Sequence, residues 1–239
     1  MKKIVMDIKF IIGGYYLVQG TETEEWMDSR FIPTPFWSVS SHLCEIFPDT
    51  WILGWNNDSE SDKYRRLLGL DEIAFQHLQA EFTSLFEQGS FGFPNVFFNP
   101  EIALDFHSQY LSHLSHLKLL SIALDEKYWA SFIEENEPHQ GTGESGIRAM
   151  LRARKIYSDQ GRFRGFEVLG FDGANFCSFV CNSLEIDFHQ KLEIVFNPNG
   201  LIGDYEMAKR AATYTMKPEV GAEPYVWHPW RITEHSLEE

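Results

Sequence analysis

Two hydrophobic periods run through this chain in irregular order, and that mixture constrains its fold more than any single motif does. Ile4, Met6, Ile8 and Phe10 alternate with Val5, Asp7, Lys9 and Ile11, the period-two pattern of a strand with one strongly apolar face. Gly13-Gly14 punctuates it and Tyr15-Tyr16-Leu17-Val18 follows, which predicts a hairpin return. Trp51-Ile52-Leu53-Gly54-Trp55, the run from Phe166 to Phe171, and parts of 176–180 and 192–196 are further strand candidates. Helical spacing takes over elsewhere. Asp71 is placed to cap a helix that buries Ala74, Leu78, Phe82, Leu85 and Phe86 and stops at Gly89. Asn99-Pro100 supplies a cap and a first-turn proline, after which Ile102, Phe106, Tyr110, Leu114 and Leu117 recur at one-turn intervals as a buried stripe. Asp125 opens a shorter helix with Trp129, Phe132 and Ile133 inward. Another follows 146 with Ile147, Met150, Leu151 and Ile156 inward, and Asp204 begins a last one through Met207, Ala208, Ala211 and Ala212. With no repeat and no regular βα alternation, the expectation is an α+β fold, a mixed or mainly antiparallel sheet packed against several helices.

The 239 residues are read as one domain, 1–239, with 137–146 as the best internal boundary or flexible loop, because that stretch combines proline, glycines and polar residues. Asn197-Pro198-Asn199-Gly200 is a strong turn, and the Trp-rich tail around Tyr225, Trp227 and Trp230 is expected to tuck onto the body. Apolar runs such as Phe10-Ile11-Ile12 fall far short of the roughly 20 residues that cross a bilayer, and Asp7 and Lys9 interrupt the start before a signal-like core develops. Cys44, Cys177 and Cys181 are too few and odd in number for a secreted disulfide framework. A soluble, cytoplasmic protein with reduced, metal-free thiols and no cofactor is therefore expected.

Charge narrows the partners. A net charge of -15 opposes attraction to nucleic acid or anionic membranes and favours encounter with a basic protein. The segment 147–164 runs against this trend, with Arg148, Arg152, Arg154, Lys155, Arg162 and Arg164 against Asp159, a set read mainly as ion-pair partners for the surrounding acids. Local catalytic signatures are absent: the glycines match neither a phosphate loop nor a dinucleotide fingerprint. His113 and His116, three apart on the expected helix with His107 before them, could share a metal, but without a zincin motif they read as surface histidines. Cys177 and Cys181, with His189 nearby, read as buried packing thiols before they read as a zinc or redox site. A carboxylate pair of hydrolytic type is open in three dimensions and unassignable from spacing.

Gly165-Phe166-Glu167-Val168-Leu169-Gly170, Cys177-Ser178-Phe179, Cys181-Asn182 and Asn197-Pro198-Asn199-Gly200-Leu201-Ile202 resemble segments of immunity proteins from bacterial polymorphic-toxin systems, over 165–202 of the chain. The resemblance implies a noncatalytic cytoplasmic antitoxin that sequesters a cognate protein toxin, a basic nuclease being the type its charge would suit. The acidic segments Glu22, Glu24, Glu25 and Asp28, and Asp58, Glu60 and Asp62, are the candidate partner-binding residues. A hydrolytic enzyme with a dispersed acid/base site, and a structural or regulatory binding protein, are the alternatives.

Overall fold

The structure, a computed structural model, describes residues 8–22, 27–41, 43, 62, 64–66, 68–93, 95–138, 143–157, 161–173 and 175–237. Strand β1, Phe10–Gln19, pairs antiparallel with β4, Leu117–Asp125, from Phe10↔Asp125 to Gln19↔Leu117. The expected hairpin at Gly13-Gly14 does not form. The chain instead runs straight on through a register shift between Ile12 and Gly14, where an extra residue is absorbed as a bulge. Glycine is required there for contact as well as conformation. A Cβ on Gly13 would lie 2.9 Å from Trp230 Cζ3, and one on Gly14, at φ +141°, would lie 2.3 Å from Val96 Cγ1. The strand candidate at 51–55 lies outside the described residues.

The other strands are β2 (Phe91–Gly92), β3 (Val96–Phe97), β5 (Arg162–Phe171), β6 (Phe176–Ser178) and β7 (Val226–His235). Among the described residues they form one antiparallel sheet in the order β2-β3-β1-β4-β7-β5-β6. The fold is α+β. Strands from both sides of 137–146 meet in this sheet, because β7 lies between β4 and β5. The Trp-rich tail is therefore a central strand rather than a flap on the surface. Pro229 is tolerated within it because the ladder with β4 ends one residue earlier, at Leu124↔Trp230.

Helix α1, Glu72–Glu87, is capped by Asp71, whose carboxylate accepts from Ala74 N at 2.8 Å, and Gly89 at φ +66° follows its end. It buries Phe75, Leu78, Phe82 and Leu85, while Phe86 is exposed. Helix α2, Pro100–Phe106, carries the expected Asn99 cap but passes into a π-turn, His107–Leu111, and stops. The apolar stripe therefore ends early. Leu111 is fully buried, Tyr110 and Leu114 are half-buried, and Leu117 already belongs to β4. Replacing Leu111 with alanine should remove about 2 to 5 kcal/mol, and Leu114 distinctly less. Urea denaturation of both variants checks this order, and a larger loss at Leu114 would contradict it.

Among the described residues four more helices follow: α3 (Glu126–Glu135), α4 (Gly146–Ala153), α5 (Glu185–Leu192) and α6 (Tyr205–Thr215). Ile147, Met150 and Leu151 face inward as expected, whereas Ile156 is exposed. The strand expected over 192–196 is replaced by the end of α5. Glu193 turns left-handed at φ +57°, and only Phe196 makes a bridge, to Ile202. The turn at 197–200 forms, with Asn197 Oδ1 accepting from Asn199 N at 2.9 Å and Leu201 N at 3.2 Å. The described residues form two apolar cores. The larger lies between the sheet and α3, α4 and α6, and the smaller packs α1 and α2 against Leu17, Leu117 and Leu119. Among the described residues no helix is long and apolar enough to cross a membrane.

Candidate functional site

The charged segments singled out in the sequence occupy unequal positions. Glu22 is exposed. Asp28 is tied to Arg30 through both carboxylate oxygens, and that hydrogen bonding lowers its carboxyl to about 2. Asp62 is held by Arg65 at 2.9 Å and Arg66 at 3.2 Å, which also lowers its pKa. Glu24, Glu25, Asp58 and Glu60 lie outside the described residues. Four of the six bases of the basic segment pair internally: Arg148 and Arg152 share Glu144, Arg154 meets Glu126, and Arg164 meets Glu234, while Lys155 and Arg162 are exposed. Those arginines therefore offset acids of their own chain.

The histidine and cysteine groups do not assemble as the sequence allowed. His113 and His116 lie beyond the helix end, His116 at φ +62°, and His113 Nε2 sits 2.6 Å from Leu68 O. No group of three or more His, Cys, Asp or Glu able to hold a metal occurs among the described residues. Cys177, on β6, and Cys181, in the 3-10 turn Phe179–Asn182, form no disulfide. Contact with Cys181, reinforced by burial, raises the Cys177 pKa. His189 turns away, its Nδ1 3.2 Å from Ile194 O and its ring 4.8 Å from Phe31.

Among the described residues three carboxylates are buried, Asp125, Glu167 and Glu185, of which Glu185 accepts from Asp28 N at 3.3 Å and the other two tie distant segments together. Asp125 ends β4 and begins α3: it accepts from Lys127 N at 3.0 Å, pairs with Lys127 Nζ at 3.0 Å and accepts from the Tyr205 hydroxyl. Glu167 on β5 is fully buried, and its Oε1 accepts from Ser38 Oγ at 2.5 Å and Ser178 Oγ at 2.7 Å. Its Oε2 has no partner among the described residues. Burial lifts this carboxyl to about 7 against the lowering effect of the serines. Buried and bonded to Ser38, Glu167 is placed to pin the 38–40 stretch to the sheet.

Two of the surface depressions among the described residues are large enough to take a side chain or more. One, of about 430 Å³, lies between 29–33 and 195–198 and is lined by Phe31, Pro33, Val195, Phe196 and Pro198, with Arg30 and His189 beside them. The other, of about 180 Å³, lies between α1 and α2. Leu85, Ile102 and Phe106 line its apolar part, with Glu81 from α1, Asp105 from α2, and Tyr110 on its walls. The Phe106 and Tyr110 rings pack at 5.0 Å. Glu81 is half-buried, and neither it nor Asp105 has an ion pair or hydrogen bond among the described residues. Fixed positive charge is scarce nearby in the chain: between Arg66 and Lys118 there is no lysine or arginine, and the bases are His77, His107, His113 and His116, against Asp71, Glu72, Glu81, Glu87, Glu101 and Asp105. This lysine- and arginine-free stretch was legible in the sequence, but a search for dense acidic runs passes over it because its acids are spread out. Protein-family models, curated proteins and solved structures yield no match to this chain.

Proposed function

We propose that this chain is a noncatalytic, cytoplasmic immunity protein that binds and neutralises a basic protein toxin, a nuclease being the type whose substrate-binding surface its charge would complement. The observation that carries the reading is the stretch between Arg66 and Lys118, free of lysine and arginine, folding into an α1/α2 face whose cleft holds two carboxylates without ion pairs among the described residues. That face concentrates negative potential where the net charge alone could not say. The acids Glu22, Glu24, Glu25, Asp28, Asp58, Glu60 and Asp62 add long-range attraction, although Asp28 and Asp62 are already partly compensated by arginines.

The test is capture by the untagged chain from its native host at low and at roughly 0.15 M salt, identification of the retained protein, and coexpression of that protein in a growth assay. A partner that survives the higher salt, and whose toxicity the chain removes, supports the proposal. Two carboxylates facing one cleft also meet the first requirement of an acid/base hydrolase. Absence of a neutralised partner, together with substrate turnover abolished by Glu81→Gln, would replace the binding reading with the enzymatic one.

A further inference from the structure

We infer that the cleft between α1 and α2 receives one arginine side chain of a protein partner, its stem against Leu85, Ile102 and Phe106 and its guanidinium between Glu81 and Asp105. This rests on the reading of the chain as a binder of basic proteins and names the contact that would anchor it.

The size of the cleft comes first. At about 180 Å³ it is below the roughly 300 Å³ at which small-molecule sites begin, and it suits one long side chain. The chemistry then selects which one. An apolar floor with carboxylates from two different helices accepts an amphipathic side chain that is aliphatic along its length and cationic at its tip. The planar, multi-donor guanidinium can bond carboxylates on both walls while stacking on the Phe106 or Tyr110 ring, which a compact ammonium does less well. Glu81 and Tyr110 line the same cleft, and the charge of Glu81 contributes, after burial, to the raised pKa of the Tyr110 phenol. Neither carboxylate has an ion pair among the described residues, so an arriving guanidinium displaces no partner, and no lysine or arginine between Arg66 and Lys118 competes for the place.

The experiment titrates the ¹⁵N-labelled full chain with N-acetyl-arginine amide, and in parallel with N-acetyl-citrulline amide, which keeps the shape and lacks the charge. The arginine probe should shift the amide signals of Glu81, Ser90, Asp105 and Gln109 saturably, with citrulline binding about tenfold more weakly. The paired substitution Glu81→Gln and Asp105→Asn should abolish the response while leaving the rest of the spectrum unchanged. Equal shifts with citrulline, or arginine shifts spread over the acidic surface without saturation at the cleft, would overturn the inference. So would full neutralisation of a captured toxin by the Glu81→Gln/Asp105→Asn chain, a result that leaves the immunity reading intact. A saturable arginine site with no toxin recovered supports the cleft and defeats only the immunity reading.

Discussion

Replacing Trp230 with alanine is expected to remove about 3 to 5 kcal/mol of stability, a large part of the roughly 5 to 15 kcal/mol that holds a domain together. Trp230 is fully buried on β7, between β4 and β5, with its ring edge-on to Phe132 at 5.5 Å and to Phe176 at 5.0 Å. Its indole N–H has no hydrogen-bond partner among the described residues, so the loss comes from packing. The bulge at Gly13 admits the edge of this ring, since a Cβ there would lie 2.9 Å from it, and Gly13→Ala should destabilise through the same contact. Urea denaturation followed by circular dichroism measures both variants. A Trp230→Ala loss below about 1 kcal/mol would mean that the sheet closes over the vacated space.

The pH dependence of stability should expose two buried groups that oppose one another. Glu167 and His228 lie on the same face of the sheet, since cross-strand partners share a face and the ladder pairs Glu167 with Trp230 and Leu169 with His228. Burial raises the Glu167 carboxyl from 4.5 to about 7 and lowers the His228 imidazole from 6.5 to about 4. Glu167 binds its proton more tightly when folded, so its contribution is fully present below pH 4.5 and is lost as pH rises to 7. His228 binds its proton less tightly when folded, so its contribution is fully present above pH 6.5 and is lost as pH falls to 4. Each is worth about 3 kcal/mol, and between pH 4.5 and 6.5 they largely cancel. Glu167→Gln keeps the oxygen that accepts from Ser38 and Ser178 and removes one of the two slopes. Its stability relative to the parent should therefore rise by about 3 kcal/mol between pH 4.5 and 8, a difference that any fixed cost of the new amide leaves unchanged. His228→Phe keeps the ring contact with Tyr128 and should become more stable relative to the parent as pH falls from 6.5 to 4. Denaturation midpoints across pH 4 to 8 decide the matter, and parallel curves for parent and Glu167→Gln would show that this carboxyl titrates as it does in the unfolded chain.

Local chemistry in the sequence determined four of the helix starts. Asp71, Asn99, Asp125 and Asp204 all cap helices as their side chains dictate, because a cap depends on a few consecutive residues. The α+β class followed from the two hydrophobic periods, and the internal pairing of Arg148, Arg152, Arg154 and Arg164 followed from a basic island in an acidic chain. What only the tertiary structure decided were the features set by neighbours distant in sequence. Leu117–Asp125 is apolar on both faces and so fits a helical stripe or a buried strand equally well; its pairing with β1 and β7 settles the choice. Gly13-Gly14 could turn the chain or bulge it, and Trp230 and Val96, packed against that point, select the bulge. The tail becomes a central strand because β4 and β5 leave an open place between them. Glu81 and Asp105, unremarkable on separate helices, share a cleft only because the smaller core packs α1 against α2. Spacing along a chain fixes which side chains share a face of one element, while burial of apolar surface against distant strands and helices decides which faces meet.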